Sequence, residues 1–231
     1  MTETAALPLC VPLKRRAEAR QAGAVWDARS QRLLWPHPRS SLAETSPLVR
    51  WLPRRYRLKI GEVALRPWMV PQPLWGWNLR ALLAKPDWDV IRRAAYARSG
   101  YCCHVCGEQG PNHPVEADEG WSYDDQTRCQ RLAGVVALCP SCHAVRHWGR
   151  TEVMGRRTEA LRWLCHINQW SVAQAEDCVA QAITQWRQRS RQSWRCDVSW
   201  VAQHYGYTLV PDGVEKARDI QRGFEEKARM G

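Results

Sequence analysis

The chain has 231 residues, long enough for one large domain or two small ones with a real core, and 34 Lys and Arg against 23 Asp and Glu give it a formal net charge of +11. Charged residues at 25% and apolar ones at 45% exclude a wholly disordered chain. The apolar stretches are short and broken by Arg, and the N-terminus MTETAALPLCVPLKRR lacks the basic-then-apolar order of a signal peptide, so the expectation is a soluble cytoplasmic protein that does not enter a membrane.

The pattern predicts an α+β protein: a small N-terminal αβ module (1–57), a Pro/Trp-rich connector (58–84), a zinc-bound ββα unit (85–150), C-terminal α-helices (151–205) and a charged tail or helix (206–231). In the first module, Leu9 to Leu13 reads as a short strand and Lys14 to Ala22 as a charged helix stopped by Gly23, where a left-handed residue is wanted. A strand follows near Leu33-Leu34-Trp35, closed by Pro36, and Ser46-Pro47 starts a short helix carrying Leu48 and Trp51. The sequence VPLKRRAEARQAGAVWDARSQRLLWP, followed by LVRWLP, resembles a small domain that recurs at the ends of plasmid primases and other DNA-processing proteins of mobile elements. That resemblance implies association with DNA metabolism and supplies no catalytic residue.

The connector, RPWMVPQPLWGWNLR, has few runs long enough for regular structure; its Trp68, Trp75 and Trp77 either pack or offer a stacking platform for bases. Pro86-Asp87 opens a helix with Trp88, Ile91 and Ala95 at helical spacing and Gly100 at its end. Further on, Glu159 to Ile167 and Ser171 to Arg189 are helical. Ser171-x2-Gln174 fits a capping box, and Val172, Ala175, Val179, Ala182, Ile183 and Trp186 form an apolar stripe. After Pro211-Asp212-Gly213 comes an amphipathic helix or a loose tail.

Ten cysteines look at first like a disulfide framework, but their spacing argues for metal. Cys103-x2-Cys106 and Cys139-x2-Cys142 are two tight knuckles 32 residues apart, and each C-x2-C turn presents both sulfurs to one point, so the four thiolates close a tetrahedral shell around one structural Zn2+. Cys103 is a better ligand than its neighbour Cys102 because it makes the C-x2-C-G turn with Gly107. Cys10, Cys129, Cys165, Cys178 and Cys196 are scattered and read as small buried hydrophobes.

Leu138-Cys139-Pro140-Ser141-Cys142-His143-Ala144-Val145-Arg146-His147 resembles the zinc-stapled branch of the HNH endonucleases, the ββα-metal or His-Me finger group, which places C-x2-C before a hairpin and L-C-x2-C-H-x3-H at the start of a helix. The run from Trp88 to Gly149 and on through the Trp-rich helices also resembles a bacterial family with the pattern E-x-H-E-x-W-x-Y-D, matched by Glu116-Ala117-Asp118-Glu119-Gly120-Trp121-Ser122-Tyr123-Asp124, and then Q-x-L-x-G, matched by Gln130 to Gly134. Carried over by position, the resemblance implies a metal ligand at Asp118, a general base at Glu119 and helix ligands at His143 and His147, with Mg2+ or Mn2+ only if the protein is a nuclease. Two departures are visible: Asp118 stands where the hairpin His is expected, and the Asn position falls near Gly134. A Glu base with its ordinary pKa near 4.3 is weak at neutral pH unless burial raises it. Without a second metal, His143 and His147 simply cap or pair on the helix surface, and Glu116, Asp118, Glu119, Asp124 and Asp125 form either a solvated loop or a cation site.

The positive charge is nearly all guanidinium, 29 Arg to 5 Lys, and Arg forks onto phosphates where Lys is a point charge. The clusters are Arg54-Arg55-Tyr56-Arg57-Leu58-Lys59, Arg92-Arg93, Arg146 with Arg150, Arg156-Arg157, and Arg187, Arg189 and Arg191 with Arg195. Together with +11 they make a nucleic-acid face the leading account. The expectation is therefore a zinc-containing protein that binds duplex DNA on a catalytically degenerate HNH-like core, with protein partners in a nucleoprotein complex of a plasmid or other mobile element. A CRISPR surveillance complex is one such setting. The alternatives are an active HNH endonuclease and an assembly factor whose surface Trp residues bind proteins.

Overall fold

The computed structural model describes residues 6–35, 46–57 and 62–230; Pro36, expected to close a strand, and Leu58 and Lys59 of the first basic cluster lie outside the described residues. Leu7–Pro8 (β1), Val25–Asp27 (β2) and Arg32–Trp35 (β3) form an antiparallel sheet in the order β1-β3-β2. The expected strand over Leu9 to Leu13 is corrected to this shorter β1. Leu9 adds one hydrogen bond to Leu33 (2.9 Å) and Cys10 turns to Trp51 (2.7 Å), and Pro12, its φ fixed at −55°, opens the 3-10 turn Leu13–Arg15. Arg16–Gln21 (α1) follows and ends at Gly23, whose φ of +97° is the left-handed stop the sequence suggested. Ser46-Pro47 leads to a 3-10 turn, Val49–Trp51, and Leu48 and Trp51 enter the core with Leu9, Leu33 and Trp35.

The N-terminal module is fastened to the first knuckle by main-chain bonds. Arg54–Arg57 (α2) donates from Arg54 N to His104 O (2.8 Å) and from Arg55 N to Val105 O (3.0 Å), so unpaired N–H groups of a helix start are satisfied by the knuckle loop. The approach is close enough that a Cβ on Gly100, φ +62°, would collide with the Val11 carbonyl oxygen.

Leu79–Leu82 (α3), capped by Asn78, precedes Lys85–Arg98 (α4), which starts two residues earlier than the sequence suggested, with Pro86 in its first turn. Glu116–Asp124 (β4) and Cys129–Leu138 (β5) make a hairpin whose turn is held by Asp124, which accepts from the N–H groups of Gln126 and Thr127. Pro140–Arg146 (α5) follows β5 directly, so hairpin and helix stand in ββα order. Trp148–Val153 (α6), Arg157–Asn168 (α7) and Val172–Ser190 (α8) come next. Both arms of the Ser171/Gln174 capping box are made, and Ala175 and Val179 of the expected stripe are buried. Val172 is instead 59% exposed.

Arg195–Asp197 (β6) pairs in parallel with β5, Ser199–Tyr205 (α9) packs on β5, and the tail is the helix Pro211–Met230 (α10). The hairpin thus divides two cores. One gathers the four knuckle cysteines with Val105, Val145, Trp148, Leu164 and Ala175; the other joins Trp88 and Ile91 of α4 to Trp121, Leu132, Val135 and Val201. The position where an Asn was expected is Gly134, which, at φ +147°, lies against the Trp200 indole and has no side chain to order the hairpin.

Asp197 starts α9. Hydrogen bonds from Ser199, side chain and backbone, and then from Arg131 (2.9 Å) hold its carboxyl down to about 2. A carboxyl whose folded value lies below its unfolded one contributes stability that is present above the ordinary carboxylate range and lost as pH falls through about 2. Asp197→Ala is expected to lower stability at neutral pH by about 1 kcal/mol, the worth of a helix cap, and to flatten the acid limb of a pH–Tm curve.

Candidate functional site

Two clusters of metal-ligating side chains sit at the two ends of α5. At its start, Cys139 is the N-cap and its sulfur accepts from Cys142 N (3.4 Å), which fixes the second knuckle. In the first knuckle, Gly107 N donates to Cys103 O (2.9 Å) with φ +82°, and Glu108 N donates to the Cys106 sulfur (3.3 Å). The sulfurs of Cys103, Cys106, Cys139 and Cys142 all lie within 4.8 Å of one another, and all four residues are buried. The Trp163 indole N–H donates to the Cys142 sulfur (3.2 Å). Against the cost of burial, hydrogen bonds from Cys106, Cys139 and Cys142 hold the Cys103 thiol well below its ordinary range. Four enclosed soft donors with N–H groups aimed at their sulfurs fit a structural Zn2+. Cys102 stands outside the set, as the knuckle spacing predicted.

At the other end of α5, one ligand atom each from Asp118, His143 and His147 also falls within 4.8 Å. His143 and His147 are one helical turn apart with ring centroids at 4.4 Å. His147 Nε2 is 3.1 Å and His143 Nε2 3.9 Å from Asp118 Oδ1. Glu116, two residues before Asp118 and so on the same face of β4, holds His143 through Nδ1 (2.5 Å) and is itself bound by His113 (2.8 Å). A carboxylate on the far ring nitrogen is the support that metal-ligating histidines use. The other oxygen of Asp118, Oδ2, pairs with Arg146 Nη2 at 3.0 Å. Burial raises the Asp118 carboxyl, but His147, Arg146 and His143 outweigh it and leave the group below the ordinary range. Burial and the adjacent His147 lower His143. The donor set, one carboxylate and two imidazoles, fits Mn2+ or another first-row ion better than Mg2+, which prefers all-oxygen shells.

Glu119 is not brought into this set. Strand alternation sends it to the other face of β4, where Leu79 N donates to it (2.7 Å) at the start of α3. Burial pushes its carboxyl up to about 7, so the low basicity expected of a Glu is removed while its side chain is committed to a helix end. Asp124 holds the hairpin turn, and Asp125 binds Arg189 through both oxygens (2.7 and 2.6 Å).

The thirteen arginines singled out in sequence divide by environment, Arg195 being exposed at the start of β6. Arg92 and Arg93 share Asp89 (2.7 and 3.9 Å), Arg156 pairs with Glu159 (3.0 Å), Arg157 reaches Glu152 and Glu176 (3.5 and 3.4 Å), and Arg189 is on Asp125. Arg55 is buried, while Arg54, Arg57, Arg150, Arg187 and Arg191 are exposed. Trp68 is the point of convergence. Its backbone N–H donates to Arg146 O (2.9 Å), and its ring lies 4.6 Å from the Arg66 guanidinium and 5.3 Å from that of Arg146. Burial, then Arg57, Arg54 and Arg146, hold His104 below the usual imidazole range, and burial with Arg146, Arg189 and Arg54 lowers Arg66. Arg66 of the connector and Arg146 of α5 thus share the Trp68 ring, and Arg146 also reaches Asp118.

Sequence reasoning missed Glu116 as the support of His143, Trp163 as a sulfur donor, and Arg66. The i, i+2 spacing of Glu116 and Asp118 in a strand was a signal for the first; an irregular connector offers no period that points to the last. No family model, curated protein or solved structure matches this chain. Among the described residues no helix is long and apolar enough to cross a membrane.

Proposed function

We propose that this chain is a zinc-stapled protein that binds duplex DNA, with the ββα unit as an HNH-like scaffold and a larger nucleoprotein complex of a mobile element as its setting. The observation that supports this reading is the convergence of Arg66 and Arg146 on the Trp68 ring, with the exposed Arg54 and Arg57 of the N-terminal module acting on the same His104 as Arg146. Like charges are brought together at a cost, and a polyanion offsets it by releasing its counterions. Arg146 is held by Asp118, whereas Arg54, Arg57 and Arg66 are exposed and suited to phosphate oxygens.

The test is titration of a labelled duplex at several salt concentrations. Log affinity is expected to fall steeply with log salt, and the combined R54Q/R57Q/R66Q variant to weaken binding across sequences and make the slope shallower by about 3, near one per phosphate contact. An affinity independent of salt removes this reading.

A second reading, metal-dependent DNA cleavage, is favoured by one arrangement: Asp118, His143 and His147 converging with Glu116 behind His143. A divalent ion held by these three residues would polarise a phosphodiester oxygen and acidify a bound water. Supercoiled plasmid incubated with Mn2+ and, separately, Mg2+ tests it. Nicking lost in His147→Ala supports the enzyme; absence of nicking with both ions leaves the binding reading alone.

A further inference from the structure

We infer that Cys10 and Cys102 form a thiol pair convertible to a disulfide, which would join the N-terminal module covalently to the zinc knuckle without using a zinc ligand. Cys10 follows β1 and Cys102 lies between α4 and the first knuckle, 92 positions along the chain, yet their thiols are close enough to act on one another. The backbones carrying them are already in contact. Cys10 Sγ faces the Cys103 carbonyl at 3.8 Å, and Gly100 approaches Val11 too closely to admit a Cβ. Backbones held apart are the usual obstacle to a disulfide, and here the two segments are packed together.

The surroundings suit oxidation as well. Arg32 Nη2 is 3.1 Å from Cys102 Sγ, and the guanidinium is anchored by the Gly107 carbonyl and by Glu108 (3.7 Å). A cavity of about 130 Å³, lined by Arg16, Ser30, Gln31, Arg32 and Gln109, reaches Cys102, room enough for a small peroxide. The remaining cysteines near the junction are the four knuckle sulfurs, which a bound zinc occupies.

With hydrogen peroxide as the oxidant, the Cys102 sulfur attacks one peroxide oxygen. The O–O bond breaks, the thiol proton leaves with the departing oxygen as water, and Cys102 becomes a sulfenic acid. The Cys10 sulfur then attacks the Cys102 sulfur, the S–O bond breaks, and the Cys10 proton leaves in a second water. Two thiols have been oxidised to one disulfide and one peroxide reduced to two waters.

The experiment treats the full-length, zinc-loaded protein with hydrogen peroxide and reads intact mass, non-reducing peptide maps and zinc content. The expected result is a species lighter by about 2 Da, two hydrogens, in which the Cys10 peptide is linked to Cys102. Zinc content is unchanged, the link is reversed by a thiol reductant, and it is absent in C10A and in C102A. Should C102A fold poorly, C10A carries the same reading, and in the wild type both thiols must lose alkylation by iodoacetamide at the same rate. No link, a link that persists in C102A, or oxidation that starts at Cys103, Cys106, Cys139 or Cys142 with loss of zinc overturns the proposal.

Discussion

Replacing Cys142 with Ser, or stripping zinc with a chelator, is expected to unfold the centre of this protein. Cys142 is fully buried in the same core cluster as Leu164, Val145 and Trp148, and its sulfur accepts the Trp163 indole N–H. The core is therefore built around the four-cysteine cluster. Structural zinc contributes roughly 10–16 kcal/mol of apparent binding free energy to small domains, as much as or more than the whole stability of an ordinary one. A lost ligand moves the folding equilibrium by an amount the remaining packing does not offset. The damage spreads to the N-terminal module, because the carbonyls that receive α2, those of His104 and Val105, are inside the first knuckle loop. Metal analysis, far-UV circular dichroism and limited proteolysis follow this together. The expected result for Cys142→Ser is loss of zinc, loss of a cooperative melt and new cleavage between the N-terminal module and α4, with zinc retained in Cys102→Ala. A Cys142→Ser protein that melts like the wild type, or a wild type without zinc, would falsify the metal assignment.

The four-cysteine cluster was legible in the sequence because C-x2-C spacing is itself a geometry: two sulfurs on one turn, with Gly107 supplying the left-handed residue that the turn needs. The long helices were legible for a similar reason. A 3.6-residue period marked α4 and α8, and the Ser171/Gln174 box marked where α8 begins. What stayed hidden depends on partners far along the chain. The three-residue strand β6 exists only because β5 offers an edge, and nothing local in Arg195-Cys196-Asp197 announces it. The docking of the N-terminal module rests on the N–H groups of Arg54 and Arg55, which no side-chain pattern reports. Charge behaved the same way. Runs such as Arg156-Arg157 drew notice in sequence but meet acidic partners in space, whereas Arg66, alone in its segment, stands beside Trp68 and Arg146.

Asp118→Ala is expected to cost on the order of 3–5 kcal/mol, the usual result of removing one partner from a buried ion pair. Asp118 is 3% exposed, and its two oxygens serve different groups: Oδ2 faces Arg146, while Oδ1 faces His147 and His143. Truncation leaves the Arg146 guanidinium without its counter-charge and the two imidazoles without their acceptor. The pH dependence has a definite sign. Burial alone would raise the Asp118 carboxyl, yet His147 and Arg146 bring it below its ordinary value, so its contribution is present above the ordinary carboxylate range and lost on acidification below it. Asp118→Asn also removes the charge but keeps the shape and an acceptor for His147, and Arg146 retains some access to water, so it is expected to cost less than Asp118→Ala and to lose Mn2+ binding by calorimetry. The same variant separates the two functional readings. If Arg146 serves a phosphate face, freeing it from the carboxylate leaves salt-dependent DNA affinity unchanged or tighter. If the cluster cleaves DNA, Asp118→Asn binds as before and stops nicking. Weaker DNA binding in a well-folded Asp118→Asn protein would mean that Arg146 contributes only while Asp118 holds it, and would place the DNA contact on the ion pair itself.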